Sequence, residues 1–448
     1  MSDLVDIAQG AVKRALELGA SDAECTLSEG EEFSAGIRMR EVESLKQAGS
    51  RGAGIRVMVG NLTGSSRTSD LSAQGIETMV LGAMNMAKIT TPDPHAGLPD
   101  NEELGKFTED LRLYDDSITR METEWKIDQA KRAEETALST DPRISNSEGA
   151  SFDSYLGTRV FTNSRGFTGS YRTSSCALSA VPVAKENGSM ERDYWYTTAR
   201  SASRLETPEH VGKRAAERAL RRLNPRKAAT QKVPVIFEPR TAQSLLGDLF
   251  DSVNGGAIYR HASFLAGKLG EKIASEVLTL IDDATMPSLL GSAPFDDEGV
   301  ATRRTVVIDR GVLKSYLLNT YTARKLGLKT TGNASRGLAG NAGVGPGNFY
   351  IEAGDRSEAE LIASVRQGLY VTELIGASAN TVTGDYSSGA AGLWIENGEL
   401  AYPVSEITIA GNLKQMLMDL QHAASNLEFR GSIASPTLMI AEMTISGQ

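Results

Sequence analysis

The chain has 448 residues, 40% of them hydrophobic, with 47 basic against 57 acidic side chains and a formal net charge of −10. That length exceeds one ordinary core and predicts two or three domains, while an acidic balance with no strongly basic half argues against a nucleic-acid surface. Two cysteines, Cys25 and Cys176, are too few for a disulfide framework or a cysteine zinc site and suit a reducing cytosol, with a single bridge left open. Acids and a lysine interrupt the apolar residues of the N-terminus, so it does not read as a signal peptide, and no apolar run approaches the ~20 residues of a membrane span. A soluble, cytoplasmic protein is expected.

Leu4 to Leu18 carries apolar residues at helical spacing and stops at Gly19, a glycine C-terminus. The runs AECTLSEG, EFSAGIRMREVESLKQAGS and GAGIRVMVG then read as strands between glycine turns, and Leu71 to Ile89 returns to helical spacing. Residues 90–106, proline-rich and without periodicity, read as a linker. The same order recurs after it: a helix at Glu122 to Leu138, strands from Ile144 to Val183, and a helix from Pro208 to Leu223 with Thr207 as N-cap. SEGEEF at Ser28 matches SEGASF at Ser147, SRG recurs at Ser50 and Ser164, and RTS at Arg67 and Arg172, which together predict a tandem duplication. Lys213, Arg214, Arg218, Arg221 and Arg222 make the last helix basic, but glutamates intervene and a solvated face is expected.

The predicted fold class is therefore α+β. Two helix/antiparallel-sheet/helix halves, about 1–90 and 115–225, form an N-terminal domain 1–225, and a β-rich domain occupies 226–448. In the second domain SLLGDLFDSVNGGA places Leu245, Leu246, Leu249, Phe250 and Val253 at helical spacing. Gly247 sits inside that helix at a cost of about 1 kcal/mol relative to alanine, so helix propensity does not explain it. Asp309–Gly311 and Asn397-Gly398 mark hairpins, the second more strongly. The stretch from Asn333 to Gly347 is a glycine-rich loop, and it fits a phosphate cradle poorly because no GK[ST] ends it.

The residues alone single out no catalytic centre. No two of the four histidines, His95, His210, His261 and His422, lie within five residues of each other, so one helix cannot supply a histidine zinc site. No G-x-S-x-G elbow occurs. The acids Asp282, Asp283, Asp296, Asp297 and Glu298 are expected to be solvated loop residues, because neighbours in a strand point to opposite faces and rarely chelate one ion.

The blocks YTARKLGLKTTG and VTELIGASANTVTGDYSSGAAGLWIENGELAYPVSEITIAGNL, with the ending MTISGQ, resemble the PmbA (TldE) branch of the TldD/PmbA family. The likeness spans nearly everything from Val233 onward and is looser over the first two hundred residues. The resemblance implies a paired assembly in which a TldD-like subunit holds zinc on an HExxxH helix plus a cysteine and cleaves unfolded or short peptides. The PmbA-like subunit lacks that motif and helps enclose the chamber; leader-peptide removal, antitoxin turnover and an older link to DNA gyrase belong to the family. Aligned with LLHExxxH, LLGDLFDS puts Gly247 and Asp248 at the His-Glu positions and Ser252 at the second histidine, and no cysteine follows Cys176. Positions i and i+5 lie roughly 140° apart on an ideal helix, so a metal-binding version must widen or end there.

The expectation is a non-catalytic subunit that binds no metal or other cofactor itself. Its zinc would reside in a TldD-like partner, its substrates would be peptides, and the isolated chain could pair with itself. Gly384, Asp385, Tyr386, Ser387, Ser388 and Gly389, with the glycine-rich loop, are candidates for lining the chamber. Two alternatives stand beside it: a regulatory protein acting on DNA gyrase or another protein, and a self-sufficient hydrolase with an unrecognised site.

Overall fold

The computed structural model describes residues 2–376 and 379–447. Helix α1 (Ser2–Glu17) buries Leu4, Ala8, Ala11, Val12 and Ala15 and ends at Gly19, whose φ of +97° is the left-handed turn the sequence indicates. Strands β1 (Asp22–Arg38), β2 (Glu41–Val59) and β3 (Leu62–Thr68) follow, then α2 (Ala73–Ala87), capped by Ser72. The run Glu32 to Ser50 is not one strand, because Met39 and Arg40 adopt φ of +50° and +70° and turn it into a hairpin. Glu134 holds that turn by accepting from both backbone N–H groups.

The second unit repeats the order with α3 (Thr123–Thr140), β4 (Ile144–Asn163), β5 (Thr168–Glu186), β6 (Ser189–Arg192), β7 (Trp195–Ala199) and α4 (Pro208–Leu220). The two units join through their first strands into a single sheet of order β3-β2-β1-β4-β5-β6, with β7 also on β5. Gly30 lies opposite Gly157 at the middle of the β1–β4 seam. Each helix pair covers one end of the same sheet face: α1 and α2 lie over Cys25, Leu27, Ile55 and Val57, α3 and α4 over Ile37, Phe152, Cys176 and Leu178. Alternate residues of β4, of β5 and of the helix-covered parts of β1 and β2 therefore read apolar toward the helices. Only part of the short-motif evidence for duplication maps onto this: Ser50 lies within β2 while Ser164 lies at the β4–β5 turn. The order of elements carries the repeat, and both cysteines are free.

The rest of the described chain forms β8 (Gln231–Phe237), α5 (Pro239–Val253), α6 (Gly255–Tyr259), β9 (Leu280–Asp283), β10 (Arg304–Asp309), β11 (Val312–Leu313) and α7 (Thr320–Leu326). After these come β12 (Ala334–Ser335), β13 (Gly343–Val344), β14 (Phe349–Ile351), α8 (Glu358–Ala363), β15 (Gln367–Ile375), β16 (Asp385–Glu396), β17 (Glu399–Asn412), α9 (Leu413–Met418), β18 (Leu420–Ala423), β19 (Ile433–Ala434) and β20 (Leu438–Ser446). One sheet runs β17-β16-β15-β8-β20-β18 and a second β11-β10-β9-β14-β19. Helix α5 lies in the core between them, with Leu245, Leu246, Leu249 and Val253 buried among residues of both. Both hairpin turns have two positive φ angles, Arg310-Gly311 at +42° and +80° and Asn397-Gly398 at +51° and +84°.

Residues 90–106 are not a free spacer. Leu98 is fully buried, Arg324 donates to its carbonyl at 2.7 Å, Tyr321 donates to Asp93 at 2.8 Å, and Leu104 bridges Val300. No helix among the described residues is long and apolar enough to cross a membrane.

Candidate functional site

Helix α5 starts at Pro239, where a missing N–H costs nothing, directly after the buried Glu238. Glu238 is held by Arg218 at 2.6 Å and Arg221 at 3.1 Å, so the supposedly solvated basic face of α4 is in part a buried tether. The apolar stripe of α5 fixes its rotation and thereby turns Asp248 and Ser252 inward, at 5% and 0% exposure. Gly247 is half-exposed, and a Cβ added there meets nothing within 4 Å. The Ser252 hydroxyl donates to the Asp248 carbonyl at 2.8 Å, and Ser263 donates to the Ser252 carbonyl at 2.6 Å. The helix ends one residue later at Val253, where Asn254 becomes extended and caps α6 through Gly256.

Strand β16 brings the other candidate block to this helix. Its alternation buries Gly384, Tyr386 and Ser388 and exposes Asp385 and Ser387, with Gly389 between the two states. The Tyr386 hydroxyl is buried without a hydrogen-bond partner. Burial, with the Asp248 carboxylate beside it, pushes its ionisation well above the usual phenol range. Asp385 is held below its ordinary value by hydrogen bonds from Thr383 and Asn412.

The acids of 282–298 are not solvated. Asp282, Asp283, Asp296 and Glu298 are buried, and each accepts hydrogen bonds there, Asp283 from Thr285 and Glu298 from the N–H of Thr320. Asp296 accepts from the N–H groups of Glu298, Val300 and Ala334 at 2.9 to 3.0 Å. Asp282 accepts from Asn333 and from the N–H of Gly347, both at 2.7 Å. Burial pushes Asp282 up to about 6, and burial with the neighbouring Glu298 charge pushes Asp296 up to about 8.

These acids fix both ends of the glycine-rich loop, whose short strands β12 and β13 pair with each other. Between them the loop reaches the N-terminal sheet: Leu338 lies over Gly52 and Gly54, where a Cβ on Gly54 would stand 1.8 Å from the Leu338 carbonyl oxygen. Arg336 pairs with the fully buried Glu24, which also holds Arg56 at 2.6 Å, and Asp297 pairs with Arg159 at 2.7 Å. Burial opposes ionisation of Glu24, but Arg336 and Arg56 outweigh it and hold the carboxyl below its usual range. Nothing in the alternation of β1 distinguishes Glu24 from a solvent-facing acid, so the pattern alone could not find this triad.

The α5 residues do not suit a zinc ion. Glycine offers no ligand, the Ser252 hydroxyl is buried and committed to a carbonyl, and no group of three His, Cys, Asp or Glu that could hold a metal occurs among the described residues. Of the histidines, His210 faces Glu206 at 3.6 Å and His422 faces Arg356 at 3.3 Å.

Family models for the PmbA/TldA metallopeptidase match along the chain: domain 1 at residues 23–87, the central domain at 116–223 and the C-terminal domain at 230–447. Metalloprotease PmbA of Escherichia coli O157:H7 is 43% identical over 99% of this chain and 96% of its own length. The chain belongs to the PmbA/TldD metallopeptidase family. A PmbA homologue from Haemophilus influenzae is 36% identical over 98% of this chain and 94% of its own. Among solved structures, a protein from Bacteroides thetaiotaomicron described as a candidate modulator of DNA gyrase has a TM-score of 0.92 at 31% identity, over 99% of this chain and 98% of that one. TldE from Thermococcus kodakarensis shares the fold, with a TM-score of 0.88 over 98% of this chain and all of its own, at 23% identity.

Proposed function

We propose that this PmbA/TldD-family chain is the non-catalytic subunit of a two-subunit peptidase, pairing in the cytoplasm with a TldD-like chain that holds zinc and cleaves unfolded or short peptides. The observation that carries the reading is Ser252. At the position aligned with a second histidine the side chain is fully buried and its hydroxyl donates to the Asp248 carbonyl, which supports a position without a metal ligand. The family supplies the peptidase context: relatives over the full chain are named metalloproteases. Asp385 and Ser387, on the exposed side of β16, are the residues of that block able to face an enclosed peptide.

In such an assembly this chain contributes walls and no reacting group. Asp248 is one methylene shorter than a glutamate base and is buried, at 5% exposure. Expression with a TldD-like chain bearing HExxxH tests the reading: a stoichiometric complex is expected, with zinc and peptide cleavage both lost when the partner's motif is removed. Stoichiometric zinc in this chain alone would contradict it.

A further inference from the structure

The helix side of the N-terminal sheet is open over the seam of the two repeats. Glu29 and Glu31 share the alternation of Cys25, Leu27 and Ile37, so they point to that side, on a stretch of β1 between the two helix-covered cores. A cleft of about 520 Å³ lies there, lined also by Arg51, Tyr114, Thr158 and Arg172.

Both signs of charge meet in this cleft, but apart from each other. Register places Arg51, Glu29, Thr158 and Arg172 in one row across β2, β1, β4 and β5, with Glu31 in the next row of β1. Two acids thus stand together on β1, with one guanidinium a strand away on β2 and another two strands away, roughly 10 Å, on β5. Glu32, on the opposite face, is compensated by Lys46 at 3.4 Å. The side chains of Glu29, Glu31 and Arg51 have no hydrogen bond or ion pair among the described residues. Arg172 is held in place, stacked 3.5 Å from the centre of the Tyr114 ring and donating to its hydroxyl, yet it has no acid of its own. An occupant that satisfies both walls therefore carries a cation at one end and an anion at the other. Arg51 adjoins Glu29 too closely to take the far end, which leaves Arg172 for the anion. An extended peptide gains about 3.4 Å per residue, so three residues with a free ammonium and a free carboxylate span the gap.

We propose that this cleft binds short peptides of about three residues with both termini free, the ammonium at Glu29 and Glu31 and the carboxylate at Arg172. Charge complementarity at the two ends selects against longer chains and against blocked termini. The proposal goes beyond the assignment of the non-catalytic role and does not rest on it, since binding is read on the isolated chain.

The test is titration calorimetry of the full chain with trialanine, its N-acetylated form and its C-terminal amide. Free trialanine should bind, more weakly as salt rises. Acetylation and amidation should each weaken binding by about tenfold or more. The variant E29Q/E31Q should bring free and acetylated peptides to equal affinity, and R172Q should do the same for free and amidated peptides, each matching the partner that was lost. Absence of binding, or equal binding of all three peptides by the unmutated chain, would overturn the proposal. So would variants that weaken binding while the preference for each free end persists. The comparison of blocked peptides on the unmutated chain decides the matter even where a variant folds poorly.

Discussion

Gly247 and Ser252 differ in what surrounds them, and that difference separates an open position from a closed one. With nothing within 4 Å of its added Cβ and no positive φ, Gly247 is conformationally ordinary. Gly247→Ala should stabilise the chain by about 0.5–1 kcal/mol in chemical denaturation, the ordinary gain for a helix interior. Ser252→His should instead cost about 1–3 kcal/mol, because a larger ring must displace packed neighbours and the hydroxyl's bond to Asp248 is lost. Equal tolerance at both positions would mean that the second is not closed. The sequence spacing placed all three motif residues on one helix, but only packing shows that Asp248 and Ser252 point inward and Gly247 does not. The buried carboxyls were misread for a related reason: composition marks Asp282 and Asp296 as loop acids, while their partners are backbone N–H groups of Gly347 and Ala334, far away in the chain. Both have folded-state values above the unfolded one, so the folded chain retains protons that the unfolded chain releases. Their contribution is greatest at low pH and is lost as pH rises through about 6 and about 8. Melting temperature should accordingly fall between pH 5 and 8.5, with a shallower fall in Asp296→Asn; a rise over that range would refute the assignment.

Among the elements, the helices and hairpins were legible because their signals are local. Apolar spacing located α1 to α5, and Asn397-Gly398 located the β16–β17 turn. The turn at Met39-Arg40 was not, since neither residue favours a positive φ and the conformation is imposed by Glu134, ninety-four residues away from Arg40. The glycine-rich loop was legible as irregular but not as a clamp. Its glycines make room for close approach, and its hold on the N-terminal sheet comes from Arg336, buried against Glu24. Glu24→Ala leaves two buried guanidiniums, Arg336 and Arg56, without their acid and should cost about 3–5 kcal/mol. Gly54→Ala should act on the same contact through sterics, displacing the Leu338 backbone. Faster proteolysis between residues 333 and 347 in both variants would report a released loop; unchanged cleavage with full stability would show that the loop is held elsewhere.

At the scale of the molecule, sheet and β-rich domain are tied by several buried charge sets and by a linker that docks along its length, so the fold presents its surfaces in fixed relation. Joining the two repeats through β1 and β4 makes one wide sheet from two small ones, which the sequence could suggest only as a duplication because strand order across the seam has no local signature. The resemblance in the β16–β17 block pointed to the family, and the burial of Ser252 with its hydroxyl on the Asp248 carbonyl supplied the argument about chemistry. The most direct test is cleavage of an unstructured peptide by the purified chain with zinc supplied. The account predicts no cleavage, and no change on Asp248→Asn. Zinc-dependent cleavage by this chain alone, abolished by Asp248→Asn, would contradict it.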